Sequence, residues 1–335
     1  MGLNPAVPQS AVLAIDAGNS KTDVALVGVD GTVLATARGG GFHPHLVGAE
    51  RAVATLAPLV AETAARAGGD GPTRVRHVSA CLANADLPAE EQRLTEQLTA
   101  RAWGETATVA NDTFALLRAG LGDGREPVGV AVVCGAGINC AGLAPGGRTA
   151  RFPAVGRISG DWGGGAFLAD EALWWAARAA DGRGEPTALA AALPARFGLA
   201  GMYELIEALH LGRIPGERRH DMAPVLFSVA EAGDRIARRI VARQADEVVA
   251  LAVTALARLE LLEEETPVVL GGGVLAARHP LLDDRIRTLL AARAPKAVPR
   301  LVTAPPVLGA ALLALDHAGA PPSSYVRLRA QYGVA

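Results

Sequence analysis

The chain has 335 residues, about twice the roughly 150 residues of a typical domain, so its length favours two domains and excludes a single small module. Half of the residues are hydrophobic and 20% are charged, which predicts a compact protein with a large core and excludes a disordered polymer. The 32 basic and 34 acidic residues give a net charge of −2. Because no basic field is available to hold a phosphate backbone, we expect no nucleic-acid partner.

The first predicted elements form a β-meander. Its three apolar runs cover 12–15, 24–29 and 33–37. The turn Asp30-Gly31 between the last two runs is a strong hairpin signal. A helix, a strand, a helix and a strand follow in this order, over 48–67, 75–82, about 88–102 and 106–110. Asn111 and Asp112 then stand where a helix N-cap is expected, ahead of a helix at 114–120.

The same order of elements then begins again, which predicts a duplicated α/β unit. Three strands connected by tight turns are expected over 128–134, 138–143 and 148–152. Helices dominate 161–262, and the last elements are a strand at 268–270, a helix, a strand near 298–303 and a helix at 307–315. We therefore expect an N-terminal domain at 1–118, a C-terminal domain with helical insertions at 119–318, and a tail of loop or strapping structure at 319–335.

Neither cysteine spacing nor hydropathy indicates a secreted or membrane protein. Cys81, Cys134 and Cys140 are odd in number and lack CxxC spacing, so no disulfide framework or zinc site is predicted. Lys21 is the first basic residue, so the basic region of a signal peptide is missing. The uncharged stretch 127–147 is broken by prolines and glycines, which predicts strands instead of a membrane helix. We expect a cytoplasmic protein with no membrane partner.

Two carboxylates stand at predicted strand ends. Asp16 is followed by the turn Gly18-Asn19-Ser20-Lys21, which could present N–H groups, a hydroxyl and a cation to phosphate while the carboxylate faces a hydrated Mg²⁺. An ordinary Asp-Gly turn is the alternative. Asp112 could accept the proton of a substrate hydroxyl during phosphoryl transfer, or it could simply cap the next helix.

Glycine motifs mark three further candidate sites. Gly135-Ala136-Gly137 could present N–H groups to a phosphate and Asn139 could face a polar ligand, although a plain hairpin explains the same residues. The glycine-dense loop 159–165 with Asp161 is typical of a ligand loop. Gly271, Gly272 and Gly273 lie between a strand and a helix, where a backbone can approach a nucleotide, and taken alone this signal is common.

Read in order, these motifs resemble the sugar kinase, Hsp70 and actin superfamily. The matching segments are Asp16 to Thr22, Asn111-Asp112, Cys134 to Cys140, Val269 to Gly273 and the ending Pro305 to Ala311. Within the superfamily the chain is similar over nearly its whole length to the BadF/BadG/BcrA/BcrD ATPase family, in its N-acetylglucosamine kinase branch. The resemblance implies an α/β protein with two duplicated ribonuclease-H-like domains, the actin-like ATPase fold, and an interdomain cleft that closes over ATP.

The resemblance also implies an activity. An amino sugar, first of all N-acetylglucosamine, is expected to be phosphorylated at its 6-hydroxyl with ATP and Mg²⁺ by a homodimer. Asp112 would be the base, Ser20 would lie near the γ-phosphate, and Asp16 would hold Mg²⁺ through water. Sugar contacts are expected from His43, Asn111, Asn139, Gly160 and Asp161.

Three positions depart from the pattern of the kinases. Ala136 replaces the usual Thr, Trp162 replaces the usual Glu, and His43 replaces an Asn that would contact the sugar. Because specificity depends on which buried polar groups are paired, glucosamine or another hexose derivative stays open as the substrate. Two other functions also stay open: an ATPase that activates a radical dehydratase, and a sensor of sugar or nucleotide without catalysis.

Overall fold

The computed structural model describes residues 11–69, 74–123 and 127–334, which form two five-stranded sheets flanked by helices. The strands are β1 Ala11–Ala17, β2 Thr22–Gly28, β3 Val33–Gly39, β4 Val75–Leu82, β5 Gly104–Asn111, β6 Gly129–Cys134, β7 Ile138–Ala144, β8 Arg148–Arg151, β9 Thr266–Gly271 and β10 Ala297–Leu301. The helices are α1 Pro44–Val47, α2 Ala49–Ala54, α3 Ala57–Arg66, α4 Pro88–Ala100, α5 Thr113–Gly120, α6 Gly165–Ala180, α7 Leu189–Arg196, α8 Met202–His210, α9 Met222–Glu231, α10 Arg235–Arg258, α11 Gly273–Ala276, α12 Pro280–Arg293, α13 Pro306–Ala318 and α14 Pro322–Gln331.

The first sheet has the order β3-β2-β1-β4-β5 and confirms the predicted meander. β1 pairs antiparallel with β2, and β2 with β3, whereas β1–β4 and β4–β5 are parallel. Both faces of β1 are buried: Leu13 and Ile15 belong to one core cluster, and Val12 and Ala14 belong to the other. Helices therefore cover both faces of this sheet, as expected for parallel strands with near-continuous apolar sequence.

The second sheet repeats this connectivity and confirms the predicted duplication. Its order is β10-β9-β6-β7-β8, so β6 takes the central place that β1 has in the first sheet, and β7, β8, β9 and β10 correspond to β2, β3, β4 and β5. β7 pairs antiparallel with β8, and β9 pairs parallel with β10. The uncharged stretch 127–147 contains β6 and β7. Among the described residues no helix has both the length and the apolar character needed to cross a membrane.

The chain divides into two compact units whose bounds differ from the predicted domains. The first unit is Met1–Ala131, Ala141–Pro153 and Val302–Ala335, and the second is Val132–Cys140 and Ala154–Leu301. α13, which the sequence placed in the C-terminal domain, belongs to the first unit because Leu308, Leu312 and Leu315 pack with Val12 and Ala14 of β1. Hydrophobic burial decides this assignment, and chain order gives no sign of it.

The expected tail of loop or strapping structure at 319–335 contains a helix, α14. Pro322 begins this helix, where its missing N–H costs nothing, and Leu328 is buried. Arg329 donates to the carbonyl oxygens of Ala119 (2.9 Å) and Leu121 (2.6 Å) and forms an ion pair with Asp123. The C-terminal helix is thus anchored to the segment that follows α5.

Candidate active site

The carboxyl ends of three parallel strands of the first unit bring the predicted acidic residues to one edge of the sheet. Asp16 on β1 is in register with Cys81 on β4, and Leu82 on β4 is in register with Asn111 on β5. Asp112 follows Asn111 directly. In α/β proteins this edge is where ligands bind, because the loops that follow the strands converge there.

Asp16 is a buried carboxylate with little compensation. Its side chain lies at the end of β1 and the residue is only 5% exposed. Burial above all, and then the nearby carboxylates of Asp112 and Asp23, raise the pKa of Asp16 to about 8 against the lowering effect of Lys21. Lys21 pairs with Asp23 at 3.2 Å, and Arg38 pairs with the same carboxylate at 2.5 Å. Because both cations pair with Asp23, a negative charge on the buried Asp16 is poorly compensated, in agreement with its raised pKa.

A divalent cation beside Asp16 would supply the missing compensation and favour its ionised form. Mg²⁺ usually binds one or two protein carboxylates and completes its octahedral shell with water and phosphate oxygens. Within 11–69, 74–123 and 127–334, no group of three or more His, Cys, Asp or Glu side chains could hold a metal. The residues present fit the group, and Asp16 would hold it.

Asp112 stands at the N-cap position of α5, as the sequence predicted, but the side chain that caps the helix belongs to Asn111. Asn111 Oδ1 accepts a hydrogen bond from Thr113 N at 3.0 Å, whereas Asp112 makes no side-chain cap hydrogen bond. Burial raises the pKa of Asp112 to about 6, an effect that the backbone N–H groups of Thr113 and of Asp112 itself partly offset. The arrangement leaves Asp112 as a carboxylate that can exchange a proton near neutral pH.

The loop Gly18-Asn19-Ser20-Lys21 contacts the loop that carries His43. Phe42 N donates to Gly18 O at 3.0 Å, and Asn84 Nδ2 donates to Asn19 Oδ1 at 3.0 Å and to Phe42 O at 3.3 Å. Asn84 adopts φ 60°, a left-handed conformation that Asn tolerates. The sequence reasoning missed Asn84, although its place just after β4 was a usable signal. Asn19, Ser20 and Lys21 are exposed, as a ligand loop requires.

Residues 164–166 contact the predicted phosphate turn of the second unit, 135–137, and hold it in place. The turn Gly135-Ala136-Gly137 connects β6 to β7, and its carbonyls at 135 and 136 accept hydrogen bonds from Gly165 N (2.7 Å) and Ala166 N (2.9 Å). Gly164 has φ 85°, and a Cβ there would lie 2.4 Å from backbone atoms of Gly137. The glycines of the 159–165 loop are therefore explained in part by packing against this turn, and not by a ligand alone.

Gly271, Gly272 and Gly273 end β9 and begin α11, as the sequence predicted. Gly272 has φ 87°, and a Cβ on it would lie 2.5 Å from the backbone of Cys134. Since Cys134 directly precedes the 135–137 turn, the structure brings these two glycine motifs of the second unit together.

Two residues of the second unit that are expected to bind the sugar, Asp161 and Asn139, make hydrogen bonds with residues close to them in sequence. Asp161 accepts a hydrogen bond from the Ser159 hydroxyl, and Asn139 Oδ1 accepts one from Cys140 N at 2.7 Å. Gly160 is exposed with φ 81°. Trp162 is buried, and the Arg243 guanidinium lies 4.1 Å from its ring centroid, so Trp162 is a core residue here.

Comparison with known proteins agrees with this fold. Dictyostelium discoideum N-acetyl-D-glucosamine kinase is 25% identical over 311 residues, which cover 91% of this chain and 97% of that protein. Clostridium acetobutylicum N-acetylmuramic acid/N-acetylglucosamine kinase is 25% identical over 273 residues, which cover 82% of this chain and 88% of that protein. A Chromobacterium violaceum crystal structure, provisionally described as an N-acetylglucosamine kinase, matches with TM-score 0.69 and 23% identity over 91% of this chain and 98% of that chain.

The repeated sheet topology, together with the structural match, defines an α/β protein of the actin-like ATPase class and confirms the expected fold. The model of the BadF/BadG/BcrA/BcrD ATPase family matches residues 13–314, and the chain belongs to this family.

Proposed function

We propose that this protein is an ATP-dependent sugar kinase that phosphorylates an amino sugar, with N-acetylglucosamine as the first candidate. One observation carries the proposal: the Asn111 side chain caps α5 and Asp112 makes no side-chain cap hydrogen bond, so the Asp112 carboxylate is not required as the cap and lies at the sheet edge where Asp16 also lies. The curated relatives, both named as kinases of N-acetylated amino sugars, support the same class of substrate.

In this proposal Asp112 is the general base. With its pKa raised to about 6, Asp112 is mostly ionised at pH 7 and is still basic enough to accept the proton of the sugar hydroxyl. A carboxylate held in position aligns that hydroxyl for in-line attack on the γ-phosphorus, and positioning accounts for most of the catalysis in phosphoryl transfer.

The nucleotide contacts are proposed for each unit separately. In the first unit, the loop Gly18-Asn19-Ser20-Lys21 would face phosphate oxygens, and Asp16 would hold Mg²⁺ through water. When bound, Mg²⁺ neutralises negative charge on the phosphates. In the second unit, backbone N–H groups of the 135–137 turn and of the 271–273 motif would contact the nucleotide. Exposure of Ala136, Gly137 and Gly273 supports this assignment.

The sugar contacts are also proposed from residues of each unit. His43 and Asn111 are the candidates in the first unit, and Asn139, Gly160 and Asp161 are the candidates in the second. Trp162 lies in the core, which favours an effect on stability over an effect on sugar choice. We further propose that the protein works as a cytoplasmic homodimer.

The test is ADP release with ATP and Mg²⁺ against a panel of acceptors, with D112N as the control. The panel is N-acetylglucosamine, glucosamine, N-acetylmannosamine, N-acetylmuramic acid, glucose and no acceptor. Release that requires an amino sugar and disappears in D112N supports the proposal, and ³¹P and ¹H NMR of the product identify the phosphorylated hydroxyl. Release independent of every acceptor would indicate an ATPase of the activator kind, and nucleotide binding without any release would indicate a sensor.

A further inference from the structure

The short segment between β4 and α4 carries a carboxylate, Asp86, that no sequence motif marked. Its backbone is held on both sides. The Glu90 carboxylate accepts hydrogen bonds from Asp86 N (3.2 Å) and Leu87 N (2.9 Å), and Arg151 Nη2 donates to the carbonyl of Ala85 at 3.0 Å. These contacts fix the point from which the Asp86 side chain leaves the chain.

The Asp86 side chain binds the residue that caps α5. Asn111 Nδ2 donates to Asp86 Oδ1 at 2.8 Å, and the other end of the same amide, Oδ1, accepts from Thr113 N at 3.0 Å. Asp86 Oδ1 accepts from the NH₂ end of the amide, and in its ionised form Asp86 has no donor to offer to the carbonyl end. Asp86 therefore selects the amide orientation in which Asn111 can cap the helix.

Without that orientation the cap would pass to another residue. If the Asn111 amide were reversed, its NH₂ group would face the N–H of Thr113 and the first turn of α5 would lose an acceptor. Asp112 stands beside it and is among the best N-capping residue types. A carboxylate used as a cap turns toward its own helix, and would then be withdrawn from a substrate hydroxyl.

Charged groups surround Asp86 and shift its pKa, as expected for a side chain that is held in one position. Burial above all, and then the carboxylates of Asp112 and Glu90, raise the pKa of Asp86 to about 7. Arg151 and the hydrogen bond from Asn111 lower it. Asp86 is thus held among charged groups at some electrostatic cost, which a surface residue would avoid.

We infer that Asp86 is a positioning residue of the proposed kinase: it fixes the Asn111 amide so that Asn111, and not Asp112, caps α5. Its effect on turnover rests on the proposed function. Its effect on the Asn111 amide does not, so the two can be tested apart.

The structural arm follows the Asn111 side-chain NH₂ by NMR in the wild type, D86N and D30N. Asp30 is a matched control because it is an exposed aspartate of the same unit whose carboxylate also accepts hydrogen bonds, from Thr32. In D86N the substituted side chain at position 86 can present either the NH₂ or the carbonyl end of its amide to Asn111. We therefore expect the hydrogens of the Asn111 NH₂ group to exchange with water at least about tenfold faster than in the wild type. In D30N the exchange rate is expected to stay unchanged.

The kinetic arm uses the acceptor identified by the panel. D86N is expected to lower kcat about tenfold or more while the KM for ATP changes less than about threefold, because the base is misplaced and the nucleotide contacts are intact. D86E restores an acceptor-only carboxylate and is expected to recover part of the lost kcat. D30N is expected to keep the wild-type kcat.

The outcomes separate the two claims. The inference is overturned if the Asn111 side-chain NH₂ exchanges with water at the same rate in D86N and in the wild type. This holds whether or not the protein is a kinase. Faster exchange in D86N with no acceptor-dependent turnover in the wild type supports the positioning role and rejects the proposed function. If D86N does not fold, D86E decides: a wild-type kcat and exchange rate with the longer side chain would overturn a role that depends on position.

Discussion

Gly309 of α13 lies directly against the carbonyl oxygen of Ala115 in α5: a Cβ on Gly309 would be 1.7 Å from that oxygen. Two helices of the first unit approach here as closely as their backbones allow, and only a residue without a side chain fits.

The substitution G309A is therefore expected to destabilise the first unit by more than about 2 kcal/mol, because a backbone carbonyl cannot move aside as a flexible side chain can. Urea unfolding measures the loss. The control is G122A in the same unit, where an added Cβ meets nothing within 4 Å, and its free energy of unfolding is expected to stay near that of the wild type. Equal stability of the two variants would contradict the close helix contact.

The stability of the first unit is expected to fall in acid because of His77. This buried ring contacts Thr106 at 2.8 Å and Thr108 at 3.1 Å and stacks on His317 with ring centroids 3.7 Å apart. Burial and the neighbouring His317 lower the pKa of His77 from 6.5 to about 4. Below pH 6.5 the unfolded chain therefore binds a proton that the folded protein does not, and stability is lost as the pH falls from 6.5 toward 4.

Between pH 7 and pH 5 this group is expected to cost about 2 kcal/mol. Carboxylates with raised pKa, such as Asp16, act in the opposite direction, so the informative quantity is the difference between the wild type and H77Q. H77Q should be less stable at pH 7 but should lose less stability on acidification. H210Q, at an exposed position at the end of α8, should keep the wild-type pH dependence. Parallel curves for the wild type and H77Q would rule out this origin of acid sensitivity.

The packing of Gly164 on the 135–137 turn predicts an effect on nucleotide binding. G164A would force a Cβ to within 2.4 Å of Gly137 at φ 85°, so the turn must shift. We expect the Kd for an ATP analogue, measured by calorimetry, to rise about tenfold, since a displaced turn cannot align its N–H groups with phosphate.

A second glycine separates backbone strain from the clash in this experiment. Gly182 has φ 81° and open space around its Cβ position. G182A therefore introduces the same kind of strain without moving the turn, and its Kd should match the wild type. A tenfold higher Kd in G182A, or an unchanged Kd in G164A, would show that the turn does not contribute to nucleotide binding.

The isosteric D112N is expected to reduce kcat by about 10²- to 10⁴-fold, the range of a lost general base, with the Kd for an ATP analogue within about threefold of the wild type. Kinetics and calorimetry on the same preparation give both numbers, and thermal unfolding checks the fold. A D112N enzyme with wild-type turnover would exclude Asp112 as the base.

The sequence predicted the strands well because alternating and continuous apolar runs report burial directly. Its reading of the cap was ambiguous for a physical reason: Asn111 and Asp112 are both favoured N-cap residues, and only the distant Asp86 decides between them. The glycines at 163–165 had the same limit. The close contact of Gly164 with Gly137, and that of Gly163 with Gln244 and Ile138, depend on residues that local sequence does not reveal.

The long-range assignments could not be predicted for a related reason. α13 follows β10 in the chain but belongs to the first unit, because its apolar face matches the free face of β1. Asn84 and Asp86 lie in a short connection that carries no motif. Their partners are Asn19, in the turn after β1, and Asn111, the last residue of β5, which are 65 and 25 residues away in sequence.

The first unit draws on both ends of the chain, since β1–β5 come from its beginning and α13 and α14 come from its end. During synthesis the ribosome releases the second unit, 132–140 and 154–301, before α13 and α14, which pack on one face of the first sheet. The face of β1 with Val12 and Ala14 therefore gains its cover from α13 only after the second unit has been made, although β1 precedes that unit in the chain.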